Sequence, residues 1–230
     1  MIDQLERGLQ NDVKKILATT YLRHRERRMY RVISRVLDVI ISLIAIVVFF
    51  PVMVIVASIV FFSNGNPVIF KQDRLGRYGR KFQIMKFRTM RTDAEIILQE
   101  DEDLYQLYVN NDYKLPPDQD PRLVKFGAFL RRSSLDELPQ LFSVLKGDMS
   151  IVGPRPIVPV ELERYEGHEQ DFLSVKPGIT GLWQVTGRSE IEYPQRKYLD
   201  LLYIENQSVF SDLKILFKTI YVVIRKSGAH

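Results

Sequence analysis

The segment "VIISLIAIVVFFPVMVIVASIVFF", residues 39–62, contains no charged side chain. A helix of this length covers the hydrocarbon core of a bilayer, which is about 30 Å thick. The segment begins too far from the N-terminus for a signal peptide and lacks a cleavage-site pattern. A buried core helix is the alternative, but a segment that is apolar on every face favours the bilayer. We therefore predict a membrane segment here, and it decides how the rest of the chain is arranged.

Pro51 lies at the middle of this segment and predicts a kink, because proline lacks a backbone N–H and its ring crowds the carbonyl of Val47. Basic residues flank both ends. They are Arg23, Arg25, Arg27, Arg28, Arg31 and Arg35 on one side, and Lys71, Arg74, Arg77, Arg80 and Lys81 on the other. Since basic flanks favour the cytoplasm, both ends are predicted to be cytoplasmic, as in a re-entrant hairpin. Charge and proline alone do not separate this hairpin from a straight span.

The composition favours an anionic partner. The formal net charge is +5 and the chain has no cysteine, so disulfides and thiolate metal sites are excluded and a reducing compartment fits. A basic chain suits lipid headgroups or a phosphorylated substrate. No nucleic-acid-binding motif is present, and we do not expect nucleic acid as a partner.

The remaining segments predict an α+β fold that is mostly α. Residues 1–29 have apolar positions at helical spacing, in a helix that would lie on the membrane or pair with another copy of the chain, as a homo-oligomer. Residues 67–90 predict two short strands around a turn, and residues 91–107 predict a helix. Near the C-terminus, Ser211 is a plausible N-cap for a helix that suits either the membrane surface or the core.

Asp136 and Glu137 stand side by side in "SSLDELPQL", where a helix is predicted to begin near Ser133 and to stop at Gly147. Three roles remain open for the two acids. Ser134 and Glu137 match a capping box, although Pro139 favours a helix start nearer Asp136. Adjacent carboxylates also suit a hard cation such as Mg²⁺. A carboxylate can, thirdly, attack a phosphoryl group.

Several basic side chains close to glycine and proline turns suit phosphate, because guanidinium groups bind phosphate oxygens in pairs. They are Lys86 and Arg88 in "KFRTM", Arg131 and Arg132 before the acidic pair, Arg155 in "GPRP" and Arg188 in "TGR". We predict that they converge on one site.

The motif set "KFRTM", "SLDELPQL", "KGDMSIVGPRP", "KPGITGLWQVTGRS" and "YLDLLYI" resembles the bacterial sugar transferase family. These are monotopic polyprenyl-phosphate phosphoglycosyl transferases. The resemblance covers about residue 30 to the C-terminus. It implies that Asp136 is a nucleophile, and that Glu137, with Asp136, helps to hold Mg²⁺. It also implies that Lys86, Arg131, Arg188 and Asp200 line the site.

The implied reaction has two steps. Asp136 attacks the sugar-bearing phosphorus of a UDP-sugar and releases UMP, and a polyprenyl phosphate, as in undecaprenyl phosphate, then takes the phosphosugar from the aspartate. The product begins a bacterial surface glycan. The resemblance therefore implies a UDP-sugar, a polyprenyl phosphate and membrane lipid as partners, and the cytoplasmic face of the inner membrane as the location.

The family's re-entrant helix, broken at a proline, favours the hairpin at Pro51. This chain has Phe50 before that proline, where the family commonly has serine. The implied domains are an N-terminal extension (1–29), a membrane hairpin (30–66) and a catalytic domain (67–230). Larger members carry further membrane helices and another domain before this core, which we do not expect here. The rival functions are a non-catalytic membrane adaptor that binds anionic lipids and an enzyme that transfers the group directly in a ternary complex.

Overall fold

Helix α1 (Ile2–Asn64) contains the whole apolar segment in the computed structural model of the chain. The structure describes residues 2–110, 115–116, 119–187 and 191–225, with the backbone alone described for 2–26 and 224–225. The chain forms two compact units, Met1–Leu37 and Asp38–His230. Residues 2–37 are helical, which confirms the helix predicted for residues 2–29. The amphipathic pattern of residues 1–26 lies outside the described side chains.

The apolar part of α1 is a candidate membrane segment by length and composition, and only 17% of its most apolar window is buried. Val47, Val48 and Phe50 are 74%, 62% and 58% exposed. A core helix would bury these side chains, so that alternative is wrong. Pro51 lies inside α1, and the helix continues directly after it. A re-entrant path would therefore be a bend within one helix, and it stays a prediction.

One side of the apolar part of α1 packs on the rest of the unit Asp38–His230. Ile41, Ala45 and Ile46 pack against a core whose buried residues include Phe82 and Val144. Further along, the buried Met53, Val56 and Val60 pack with Phe87 and Leu130. Both halves of the apolar segment, before and after Pro51, thus have a protein-facing side and a side exposed outside the protein.

The rest of the described chain is mostly helical with two small sheets, which confirms an α+β fold that is mostly α. Strands β1 (Ile69–Leu75) and β2 (Lys81–Phe87) are antiparallel, with Arg74 opposite Phe82. They confirm the strand pair predicted in residues 67–90. Strands β3 (Ser150–Val152) and β4 (Gly178–Thr180) are parallel, with Ser150 opposite Gly178. The helices are α2 (Ala94–Glu100), α3 (Glu102–Asn110), α4 (Gly127–Ser133), α5 (Gln140–Lys146), α6 (Glu169–Leu173), α7 (Leu182–Thr186), α8 (Gln195–Glu205) and α9 (Val209–Arg225).

The predicted helix start near Ser133 is wrong. Helix α4 ends at Ser133, Ser134 adopts a left-handed conformation (φ 57°), and Leu135–Glu137 form a single 3-10 turn. The Ser134 side chain makes no capping bond, so the capping box is wrong too. Helix α5 begins only after Pro139, where proline costs no helical hydrogen bond. The predicted stop at Gly147 is confirmed, with φ at 96°.

Two further helix predictions are revised. The single helix expected over residues 91–107 is two helices, α2 and α3, separated at the extended residue Asp101. Helix α9 begins before Ser211, and the Ser208 hydroxyl accepts the Ser211 N–H at 3.1 Å, so Ser208 takes the capping role. α9 buries Ile215 and exposes Phe210 and Phe217 at 67% and 69%, which combines the two alternatives left open for this helix.

Candidate active site

The acidic pair lies in the short turn that joins α4 to α5. Within this turn Asp136 is buried, at 6% exposure, while the side chain of Glu137 is 22% exposed. The left-handed residue Ser134 reverses the chain immediately before the turn. Because consecutive residues of a 3-10 turn point about 120° apart, one acid faces the interior and the other faces an opening.

Two of the predicted basic residues meet at Glu137. Lys86, near the end of β2, donates through Nζ to Glu137 Oε1 at 2.5 Å. Arg155, in the loop after β3, places Nη1 3.9 Å from the same oxygen. Lys86 is 51 positions earlier in the chain than Glu137. The predicted convergence of Lys86, Arg155 and Glu137 is therefore present in the structure.

Asp136 lies in a setting that holds back its ionisation. Burial raises the pKa of Asp136 to about 6, and the neighbouring Glu137 adds to this effect. Lys86 and Arg131 oppose the shift because they stabilise the carboxylate. Arg131, on α4, is itself anchored by an Nε bond to Thr89 Oγ1 at 3.1 Å. A carboxylate with a pKa near neutrality is poorly solvated when ionised, and poor solvation favours nucleophilic attack.

Glu137 behaves in the opposite way. Burial alone would raise its pKa, but Lys86, Arg155 and hydrogen bonds from Lys86 and Gln140 outweigh burial and lower the pKa of Glu137 to about 2. Glu137 is therefore an anion at every physiological pH. The pair has one acid with a raised pKa beside one with a lowered pKa, the pattern that separates the roles of two adjacent acids.

A cleft opens beside Glu137, and its polar lining carries three cations and one carboxylate. The polar side chains that line it belong to Arg74, Lys86, Glu137, Gln140, Arg155 and Gln184. Sequence reasoning assigned no site role to Arg74, Gln140 or Gln184. The partly buried positions of β1 include Arg74, which a strand periodicity of two could have indicated. Gln184 follows "PGITG" on α7, and no local pattern singles it out.

The glycines of "GPRP" and "PGITG" allow these two motifs to touch. Gly153 N–H donates to Thr180 O at 2.9 Å, and Gly178 N–H donates to Pro154 O at 2.8 Å. A Cβ on Gly178 would lie 2.1 Å from Gly153 N, so no side chain fits there. This close approach of β3 and β4 fixes the loop that presents Arg155 to the cleft.

The structure places Arg88 at the end of α1 rather than in the lining of the cleft. Its guanidinium donates to the carbonyl oxygens of Asn64 at 2.5 Å, Gly65 at 2.7 Å and Asn66 at 3.1 Å. These contacts satisfy carbonyls that a helix end leaves without partners. Substrate binding by Arg88 stays a prediction.

Asp200 lies on α8, 1% exposed, in a cluster of its own. Tyr165 donates its hydroxyl to Asp200 Oδ2 at 2.7 Å. Burial raises the pKa of Asp200 to about 7, although Tyr165 and Arg196 oppose the rise. The predicted site role of Asp200 is untested, and Arg188 lies outside the described residues. Arg132, on α4 just before the turn, is exposed, and its predicted contact with phosphate stays a prediction.

The acidic pair fits Mg²⁺ by the chemistry of its donors. No group of three or more His, Cys, Asp or Glu side chains that could hold a metal ion exists among the residues that the structure describes. Mg²⁺, however, is commonly bound by one or two carboxylates with substrate phosphates completing its shell. Glu137, which stays ionised and borders the cleft, with Asp136 beside it, provides that partial set of hard oxygen ligands.

Comparisons with known proteins identify the family of the chain. The family model described as "Bacterial sugar transferase" matches residues 29–226. The chain is 42% identical to the undecaprenyl-phosphate galactose phosphotransferase of Salmonella typhimurium, over 89% of this chain and 43% of that protein. It is 40% identical to the exopolysaccharide production protein ExoY of Rhizobium meliloti, over 86% and 88%.

A third relative is the UDP-glucose:undecaprenyl-phosphate glucose-1-phosphate transferase of Klebsiella pneumoniae, at 38% identity over 83% of this chain and 40% of that protein. These relatives differ in how much of their length the chain covers. The chain spans about two-fifths of the length of relatives such as the Salmonella protein (43%), and most of the length of ExoY (88%).

Proposed function

This chain belongs to the bacterial sugar transferase family, and we propose that it transfers a sugar-1-phosphate from a UDP-sugar to a polyprenyl phosphate such as undecaprenyl phosphate. The names of two relatives contain undecaprenyl phosphate together with galactose or glucose. The observation that carries the proposal is the Asp136–Glu137 turn, with Lys86 and Arg155 gathered on Glu137. The product would begin the assembly of a bacterial surface glycan.

The proposed chemistry passes through Asp136. Its carboxylate oxygen forms a bond to the sugar-bearing phosphorus while the bond from that phosphorus to the bridging oxygen breaks, and UMP leaves with that oxygen. A phosphate oxygen of the polyprenyl phosphate then attacks the same phosphorus, and Asp136 leaves as a carboxylate. The raised pKa of Asp136 supports this role, since a poorly solvated carboxylate is the stronger nucleophile.

The other residues of the site have distinct tasks. Lys86 and Arg155 would offset negative charge on the phosphoryl oxygens, because their cationic heads already face the cleft. Arg131 keeps Asp136 ionised through its charge. Glu137, with Asp136, would hold Mg²⁺, which when bound neutralises charge on a nucleotide diphosphate.

The membrane segment is proposed to enter and leave on the cytoplasmic face of the inner membrane. Asp38, at one end, accepts a hydrogen bond from Ile151 N at 2.8 Å, and Asn64, at the other, donates to Met90 O at 2.9 Å. A straight span would separate these ends by the bilayer, but both hold the same folded unit. The phosphate of a lipid embedded in the membrane and a soluble nucleotide sugar would meet at the boundary between membrane and water.

Single cysteines test this placement, because the chain has none of its own. Ser34→Cys and Ser63→Cys flank the apolar segment. In sealed inside-out inner-membrane vesicles, which present the cytoplasmic face, a membrane-impermeant maleimide should label both. In spheroplasts it should label neither. Labelling of one position from each side would replace the re-entrant path by a span.

The reaction is tested with purified protein, a UDP-sugar and Mg²⁺ in the absence of a lipid acceptor. We expect a burst of UMP equal to the number of active sites and a phosphosugar adduct on the peptide that contains Asp136. UMP release only in the presence of the acceptor, without an adduct, would favour direct transfer. An adaptor would release no UMP under either condition. A panel of UDP-sugars in the same assay identifies the sugar.

A further inference from the structure

Two buried polar groups attach the two ends of the apolar segment to the folded unit. Asp38 does so at the first end and Arg88 at the second. Asp38 is 5% exposed and Arg88 is also 5% exposed. Burying an ionisable group is costly unless hydrogen bonds compensate it. Apolar packing already contributes to holding α1 on this unit, so these two directional attachments call for a separate explanation.

The first attachment joins α1 to strand β3. Asp38 Oδ1 accepts the hydroxyl of Ser150 at 2.9 Å and the backbone N–H of Ile151 at 2.8 Å. Directly after β3 the chain enters the loop that carries Arg155, which lies 3.9 Å from Glu137. A shift of Asp38 along the helix axis would therefore move the strand that supports this loop.

The second attachment joins the end of α1 to the end of strand β2. Arg88 donates to three carbonyls at residues 64–66, and its own N–H donates to Val68 O at 2.9 Å. Asn64 returns a bond to Met90 O at 2.9 Å. Lys86, which donates to Glu137, lies two residues before Arg88 on the same extended chain. Alternate residues of an extended chain point to the same face, so a displacement of Arg88 would be expected to displace Lys86 as well.

Taking the proposed function as the premise, we propose that Asp38 and Arg88 are positioning residues that couple the seating of the membrane helix to the placement of Lys86 and Arg155 at Glu137. The helix from Asp38 to Asn64 is about 40 Å long if straight, and its two ends hold the two strands that deliver these cations. Apolar faces can slide past each other, whereas hydrogen-bonded groups fix one register. The active site would then be fully assembled only when both ends of the helix are seated.

The test uses Asp38→Ala and Arg88→Met in the full chain, with the single-turnover formation of the Asp136 adduct as the readout. We expect the rate constant to fall about 10- to 100-fold, which is the effect of displacing a catalytic group by about 1 Å. The fraction of protein that reacts should stay as in the wild type. A reduced fraction with an unchanged rate constant would mean a structural role only and overturn the inference.

Conservative variants and controls keep the test informative if the first two variants fold poorly. Asp38→Asn keeps an oxygen acceptor and Arg88→Lys keeps a donor, so each should recover part of the rate constant. Ser58→Ala removes a hydroxyl that bonds only within α1. Arg91→Met removes an exposed arginine that bonds the nearby Asp93. Both controls should react at the wild-type rate, and a loss equal to that of the Asp38 and Arg88 variants would contradict the coupling.

A second readout needs no catalysis. A water-soluble carbodiimide joins an amine and a carboxylate in contact as an amide with loss of water, and peptide mass spectrometry detects the Lys86–Glu137 link. Its yield should fall several-fold in Asp38→Ala and Arg88→Met, relative to the link between Lys146 and Asp148, which lie 3.3 Å apart. An unchanged yield of the Lys86–Glu137 cross-link in the variants overturns the inference. Failure of the wild-type protein to form the phosphosugar adduct on Asp136 overturns the proposed function alone.

Discussion

Asp136 and Asp200 are two almost inaccessible aspartates, at 6% and 1% exposure, with different surroundings. Asp136 lies in a turn with a second acid beside it and with Lys86 and Arg131 as electrostatic neighbours. Asp200 lies on a helix with the Tyr165 hydroxyl on one oxygen, while its Oδ1 has no hydrogen-bond partner among the residues that the structure describes.

Burial raises the pKa of both aspartates, so burial does not distinguish a reactive acid from a structural one. The difference lies in what surrounds the charged form. Around Asp136, two cations stand ready to stabilise an anion, and its neighbour Glu137 opens to a cleft lined by three cations. Asp200, in contrast, has one cation, Arg196, and the Tyr165 hydroxyl to stabilise its anion. We infer that reactivity belongs to the first aspartate and structural support to the second.

Replacing Asp136 should have the largest effect. Asp136→Asn removes the carboxylate proposed as the nucleophile but keeps the shape of the side chain, and we expect turnover to fall by roughly 10³-fold or more. The fold should be retained, because a neutral amide avoids the cost of burying a charge. Steady-state UMP release measures the loss, with circular dichroism as the check on folding. Asp200→Asn is the matched control, and an equal loss in both variants would remove the contrast between the two acids.

Lys86→Met should have the next largest effect. Glu137 would keep Arg155 as its cationic neighbour but lose the lysine that donates to it at 2.5 Å. We expect kcat to fall about 10²-fold, since removal of one preorganised charge at a reacting phosphoryl group costs this much. Lys146→Met removes an exposed lysine with a local partner and should leave kcat unchanged. A wild-type kcat for Lys86→Met would exclude Lys86 from the chemistry.

The pH dependence of adduct formation follows from the raised pKa of Asp136. Only the ionised carboxylate attacks phosphorus, so below about pH 6 the rate should fall roughly tenfold per pH unit. Glu137, with a pKa of about 2, stays ionised over this range and does not contribute. Because Lys86 lowers the pKa of Asp136, Lys86→Met should move the acid limb to higher pH. Single-turnover rates between pH 5 and pH 8 measure the acid limb in the wild type and in Lys86→Met. An acid limb at the same pH in both proteins would show that the lysine does not act on Asp136.

Local patterns explain why parts of the fold were predictable. The strands in residues 67–90 and the stop at Gly147 depend on neighbours in sequence, and both predictions are confirmed. The predicted helix start near Ser133 and the capping box at Ser134 are wrong, and the partner of Glu137 lies far away in sequence. The Glu137 side chain pairs with Lys86 across 51 positions rather than with the backbone of its own turn. A local rule cannot include a partner on another strand.

The site shows the same limit. Lys86 and Arg155 were found because each stands in a recognisable motif, "KFRTM" and "GPRP". Arg88 stands in the same motif as Lys86, but its partners are the carbonyls that end α1, a contact visible only when residues 64–66 and 88 are folded together. Gln184 lines the cleft from α7, directly after β4, which packs closely on β3 at their glycines. Motifs thus indicated the chemistry, and the fold decided which members share a cleft.

Asp200→Asn should have the smallest effect, and one confined to stability. The pKa of Asp200 is about 7 in the folded chain and 3.8 by reference, so the folded state holds its proton more tightly. Its contribution to stability is therefore full below about pH 4 and is lost as the pH rises through 7. Asparagine cannot ionise and still accepts the Tyr165 hydroxyl. The variant should melt near the wild type at pH 4 and roughly 3–8 °C above it at pH 8, as measured by thermal unfolding in detergent. Equal differences at both pH values would contradict the raised pKa of Asp200. A loss of UMP release as large as that of Asp136→Asn would place Asp200 with the reacting groups, because a purely structural acid affects only the folded fraction.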